Sequence, residues 1–203
     1  MNPASTTFVL GYHGCDAAVA ERIFVGKTSL SASENDYDWL GHGVYFWEHS
    51  ARRAYDFACE VRDRSVGRKR RLKRPAVVGA IIDLGNCLNL LDSESIEMVS
   101  DAYLDLVRLH REAEEPLPQN SGGQDRLLRR LDCAVLEMLH ATRQERAEPA
   151  FDSVRAAFIE GTPIYEDAGF HAKNHIQLCV RNVACIKGYF RPLTDEGKPL
   201  EFT

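Results

Sequence analysis

The stretch Gly41-His42-Gly43-Val44-Tyr45-Phe46-Trp47-Glu48-His49-Ser50 constrains the fold of this chain more than any other. Two glycines one residue apart let the backbone turn tightly and leave room above it. Val44, Tyr45, Phe46 and Trp47 follow, a β-branched and aromatic run that predicts a strand. Ser50 fits a helix N-cap, and Ala51 to Val61 predicts the helix. The ordinary reading is a buried aromatic strand ending in a capped helix. The functional reading is a strand that carries one aromatic ring to the floor of a cleft.

A second strand, Phe8-Val9-Leu10-Gly11-Tyr12-His13-Gly14-Cys15, ends in His-Gly. Such an end presents an imidazole and an unobstructed backbone to the same ligand. Between the two stretches, Asp16 caps a short helix to Phe24, on the spacing of Ala17, Val19, Ala20 and Ile23. Val25 to Leu40, rich in Ser, Gly, Asn and Asp, predicts a loop whose end Trp39 and Leu40 anchor.

Further on, Pro75 to Leu84 predicts a strand buried on both faces. Asp92 to His110 predicts a helix with Ile96, Val99, Tyr103, Leu106 and Val107 on one face. Gln124 to Arg143 predicts another through Leu127, Leu131, Val135 and Met138. Phe151 to Ile159, His175 to Val180 and Cys185 to Phe190 predict three more strands, with a loop over 161–174. The fold class is therefore α+β, two packed antiparallel-rich sheets with helices around them, in a single domain spanning 1–203. The helical pair, about 92–145, is an insertion into that plan.

The 203 residues suffice for one sizeable core. The chain carries a net charge of −5, so its balance gives no general pull toward nucleic acid or membranes. No apolar run reaches the roughly 20 residues that span a bilayer. Met1 to Thr7 has neither a basic start nor an apolar h-region, so no secretory signal and a cytoplasmic location are expected. The six cysteines form no C-x-x-C pair, and reduced, buried thiols suit them better than disulfides or a metal site. Against this acidic background Arg62–Arg74 is densely cationic. It reads either as a solvated connector or as a phosphate-binding patch for RNA or DNA.

Tyr12-His13-Gly14 and Leu40-Gly41-His42-Gly43-Val44-Tyr45-Phe46, with Ser50-Ala51 opening the next helix, resemble the ADP-ribosyltransferase superfamily on its diphtheria-toxin and poly(ADP-ribose) polymerase side. The resemblance covers the strands at both ends and leaves roughly the middle third unmatched. It implies a split pair of sheets, NAD+ as co-substrate, and a site built on His13, Tyr45 and a third position. Aligning Val183-Ala184-Cys185-Ile186 puts Gln177 in that position; His175 shares its side of the strand and competes for it. By resemblance Tyr45 stacks on nicotinamide, His13 bonds the adenosine-side ribose, and the Gly14 backbone binds the carboxamide. Phe46, Ser50 and Tyr55 complete the cofactor-binding set, and the loop 166–174 contacts the acceptor. Gln cannot take a proton as Glu can, which favours transfer of one ADP-ribose over chain elongation.

The expected function is thus a bacterial-type mono-ADP-ribosyltransferase acting on a macromolecule, with nucleic acid favoured over any one protein target. A toxin or antiviral-defence role with a neutralising, antitoxin-type protein partner matches that chemistry. The alternatives are an RNA 2′-phosphotransferase-like enzyme and a non-catalytic NAD- or ADP-ribose-binding module.

Overall fold

A computed structural model describes residues 8–64, 72–123, 125–194, 196–200 and 202. Among them the strands are β1 (Phe8–Asp16), β2 (Val44–Glu48), β3 (Pro75–Asp83), β4 (Cys87–Asn89), β5 (Asn120–Ser121), β6 (Leu128–Arg129), β7 (Ser153–Phe158), β8 (His175–Val180) and β9 (Ile186–Phe190). The helices are α1 (Ala17–Phe24), α2 (Ala51–Arg64), α3 (Ser93–Glu112) and α4 (Arg130–Glu145). The class is α+β, as the element order predicts.

Seven strands form one sheet in the order β4-β7-β8-β2-β1-β3-β9, antiparallel except for the β4–β7 pair, and β5 and β6 form a small second sheet. The large sheet nevertheless has two halves. β1 pairs with β3 over all nine of its residues, whereas β1 and β2 meet only at Gly11↔Glu48 and Tyr12↔Trp47. The sequence predicts two packed antiparallel-rich sheets; the structure instead has one seven-stranded sheet thinly stitched at its centre, beside the small β5–β6 sheet.

The strands' alternation sends side chains to two different cores. Val44, Phe46, Val78, Ile82, Leu178 and Val180 pack with Ala20 and Ile23 of α1. On the other face, Cys179, Val154 and Leu88 pack with Ala102 and Leu106 of α3 and Val135, Leu136 and Leu139 of α4. Trp47 and Val77 pack beneath Ala54 of α2.

The helix caps follow the local sequence. Asp16 Oδ1 accepts from Ala18 N at 2.9 Å, and its other oxygen accepts from Lys73 N at 2.7 Å and Arg74 N at 3.2 Å. Ser50 Oγ accepts from Arg53 N at 3.3 Å. Two helix readings need correction. α4 starts at Arg130, not near Gln124, because the β5–β6 hairpin takes the preceding residues and Asn120 Oδ1 caps the helix, accepting from Leu131 N at 2.9 Å. α3 buries Ser95, Ala102 and Leu106 with Val99 packed against the same core, and leaves Ile96 and Tyr103 exposed, so its inward stripe overlaps the expected one only in part. The small side chains of Ser95 and Ala102 take the buried positions.

Gly14 has a structural reason that the sequence does not show. A Cβ there would lie 2.1 Å from the Ala54 carbonyl oxygen of α2. Gly14→Ala therefore forces α2 off the sheet and is expected to cost about 1–3 kcal/mol, the usual range for overpacking. Equilibrium denaturation measures it, and an unchanged midpoint would refute this close approach. No helix among the described residues is long and apolar enough to cross a membrane.

Candidate functional site

A cleft of about 520 Å³ opens on the sheet face that carries Tyr45, Trp47, His175 and Gln177. That volume lies within the range of small-molecule sites, about 300–1,000 Å³. One wall is the loop before β2, through Asn35, Asp38 and Trp39; another is α2, through Arg53, Phe57 and Glu60. Glu160, just past β7, and Leu127 and Leu128 close the remaining sides.

Register explains the convergence. Trp47 lies opposite Gln177 on β8, Gln177 opposite Ala156 on β7, and His175 opposite Phe158. Directly opposed residues share a face. The pairing continues past the strand end, where Lys173 N donates to Glu160 O at 3.0 Å, so Glu160 falls on the same face as Phe158 and His175.

The cleft is lined with buried polar atoms that have no protein partner. These are Trp47 Nε1, Arg53 Nε, Glu160 Oε1, His175 Nε2 and Gln177 Oε1. Eight such side-chain atoms occur among the described residues, and five of them line this one cleft. Buried polar groups are normally hydrogen-bonded, so such a concentration singles out this cleft as the candidate site.

The electrostatics follow from burial. His175 Nδ1 lies 2.7 Å from the Lys173 carbonyl, which can only accept, so Nδ1 carries the proton and Nε2 is a bare acceptor. Burial, with Arg53 and Arg129 nearby, pushes its pKa down to about 4 against the opposing pull of the Lys173 hydrogen bond. Being neutral at pH 7, it forms no ion pair with Glu160 Oε2 at 3.9 Å. Glu160 is pushed above the usual carboxylate range by burial, a shift that the Arg53 guanidinium, 3.2 Å from Oε2, opposes only in part.

The Tyr45 ring is fixed at its hydroxyl end. Its hydroxyl accepts from Leu40 N at 2.9 Å and donates to Gly41 O at 2.7 Å, and burial raises its pKa. The turn that it grips needs glycine: Gly41 has φ +75°, and a Cβ at Gly43 would lie 2.5 Å from Cys179 Sγ. From outside, Glu137 of α4 accepts from His42 N at 2.8 Å and from Arg181 at 2.7 Å. The helical pair read as an insertion is thus tied directly to the loop beside the cleft. Burial alone would raise the Glu137 carboxyl, but Arg181 and the His42 N–H hold it below the usual range.

The structure brings Tyr45 and Gln177 together, with His175 beside them, and separates the other expected site residues. His13 lies in the seam between the two sheet halves, on the Phe46 side, with Nδ1 donating to Tyr45 O at 2.8 Å. Its Nε2 is therefore the acceptor end, and burial lowers its pKa. Phe46 is fully buried in the α1-side core. Gly14 is covered by α2, and Ser50 caps that helix. Tyr55 stacks on Phe202, ring centroids 4.5 Å apart, on a different surface hollow. Of the cationic stretch, Arg64 lines the cleft and pairs with Glu60 at 2.8 Å, while residues 65–71 lie outside the described residues.

Sequence reasoning missed Arg53, Glu160 and the cleft-facing role of Trp47. Only for Trp47 did a signal exist, the period of two that sets it on the face of Tyr45. Among the described residues no group of three or more His, Cys, Asp or Glu is arranged to hold a metal. Comparison of the chain with protein-family models, with curated proteins and with solved structures finds no match.

Proposed function

We propose that this protein is an NAD+-dependent mono-ADP-ribosyltransferase with a macromolecular acceptor. The observation that carries the reading is the cleft in which the Tyr45 ring and the Gln177 amide meet five buried, unpartnered polar atoms. A flat cationic nicotinamide suits aromatic walls, here Tyr45 and Trp47. Cleavage of its bond to ribose passes through an oxocarbenium-like centre, as in glycoside cleavage, and needs an oriented ribose. Gln177 Oε1 and His175 Nε2 are acceptors suited to ribose hydroxyls; Trp47 Nε1 and Arg53 Nε are donors suited to a carboxamide or phosphate oxygen. The cationic stretch leaves α2 where Arg64 meets the cleft, which favours a polyanionic acceptor, RNA or DNA.

The test is incubation with NAD+ labelled in its adenylate half, together with cell lysate and purified RNA and DNA. Label is expected on nucleic acid, with nicotinamide released in equal amount. Nucleic-acid labelling should fall steeply as salt rises, because phosphate binding releases counterions. Label confined to protein would overturn the acceptor. Loss of a 2′-phosphate from RNA would replace the reading with phosphotransfer, and binding without nicotinamide release would reduce it to a binding module.

A further inference from the structure

ADP-ribose transfer releases a proton from the acceptor, and Gln177 cannot receive it. Arg53 cannot either, since its guanidinium stays protonated. Four groups that line the cleft can accept a proton, Asp38, Glu60, Glu160 and His175. Both Asp38 oxygens accept from Asn35, and the two Glu60 oxygens are taken by Lys173 and Arg64, each at 2.8 Å, which leaves Glu160 and His175. We propose, resting on the reading above, that Glu160 is the base of this site, taking the acceptor's proton on Oε1 as the acceptor bonds to the nicotinamide ribose.

Geometry carries the assignment. Glu160 is 2% exposed, and its Oε1 is buried, unpartnered and at the cleft, on the face that Gln177 and His175 share. Oε2 is occupied by Arg53 at 3.2 Å, so the carboxylate is held by one oxygen with the other left for a ligand. Arg53 is itself braced by Glu60 at 3.4 Å and lies over the Trp47 ring, 5.7 Å from its centroid. The Glu160 backbone is fixed by Lys173, and the next residue by Gly161 N donating to Asp125 Oδ1 at 3.2 Å.

The step balances as follows. The lone pair of the acceptor oxygen or nitrogen forms a bond to the ribose C1′. The C1′–nitrogen bond breaks, and its electron pair stays on the ring nitrogen, so neutral nicotinamide leaves. The acceptor's proton passes to Glu160 Oε1 and then to water. The charged and titratable groups around Glu160 are Arg53 on α2, His175 on β8, Arg129 on β6 and Asp125 before it. Burial and Asp125 raise its proton affinity, while burial and the nearby arginines depress that of His175, which makes Glu160 the stronger base of the two.

The experiment follows nicotinamide release from NAD+ with water as acceptor, in wild type, Glu160→Gln and Glu160→Asp, together with NAD+ affinity by calorimetry. Glu160→Gln is expected to lower kcat 10²–10⁴-fold, the usual contribution of a general base, with NAD+ affinity within threefold of wild type. Wild-type activity should fall with slope one on the acid side, and that limb should vanish in Glu160→Gln. If Glu160→Gln fails to fold, Glu160→Asp decides: it should keep NAD+ affinity and the acid limb and lose at least tenfold in kcat. A variant that retains over a tenth of wild-type kcat, keeps the acid limb as Gln, or loses affinity rather than kcat overturns the assignment. Wild type that neither binds nor consumes NAD+ overturns the proposed function itself, a separate outcome from a working enzyme indifferent to Glu160.

Discussion

Tyr45→Ala is expected to lower stability by about 3–5 kcal/mol, the range for removing a large buried aromatic. The ring packs against the α3–α4 core, and the hydroxyl joins Leu40 N and Gly41 O. Truncation opens a cavity and strips the partner from the backbone N–H of Leu40, a residue that is 1% exposed. It also frees the Gly41 turn, whose positive φ is held by Tyr45, by Asp38 O and by Glu137. Tyr45→Phe keeps the ring and loses only the two hydroxyl bonds, an expected cost of about 1–2 kcal/mol. On the proposed function, Tyr45→Phe retains nicotinamide release, whereas Tyr45→Ala loses both release and fold stability. Urea unfolding of the two variants, read beside nicotinamide release, gives the answer. An alanine variant as stable as wild type but inactive would show a ring that serves the ligand alone, as the sequence by itself suggests.

The second large effect is acid destabilisation. Burial pushes His175 and His140 each down to about 4, whereas an unfolded histidine titrates near 6.5. Between those values the unfolded chain binds protons that the folded chain refuses, so stability falls as pH drops from about 6.5 toward 4. At pH 4.5 the loss is on the order of 2 kcal/mol from each residue. Glu160 acts in the opposite sense, because a raised carboxyl pKa makes the folded state the better proton binder. Glu137, held low by Arg181, adds to the loss as pH falls through the carboxylate range. Urea unfolding at pH 7 and pH 4.5 should show the drop, and His140→Gln should recover about 2 kcal/mol of it. A variant with the same pH dependence as wild type would exclude His140 as a source. The histidine lies away from the cleft against Phe151, so the variant should leave activity at pH 7 unaltered.

Where local physics decides, the sequence was sufficient. The Asp16 and Ser50 caps, the aromatic strand β2, the apolar strand β3 and the C-terminal strands all follow from short-range spacing and side-chain chemistry. So does the shared face of Tyr45 and Trp47, because strand alternation needs no knowledge of neighbours. Helix periodicity was less decisive: α3 is amphipathic, but which of two adjacent stripes turns inward is settled by Ser95 and Ala102 lying in the buried layer. The strands β4, β5 and β6, two or three residues each, have no periodicity to read and exist through their partners.

The site itself was only half present in the sequence. Gly-x-Gly and Tyr45 mark its floor, but its polar wall is made by pairing β7 with β8 and laying α2 across the same face. That pairing brings Glu160 to His175 and Gln177, and Arg53 arrives from 107 positions away to bind Glu160. A residue's neighbours across a sheet depend on register, which is fixed by the packing of the whole apolar face rather than by any segment's own pattern. For the same reason His13 and Tyr55, which one dimension sets beside Tyr45, fall in a seam and on a separate hollow in three.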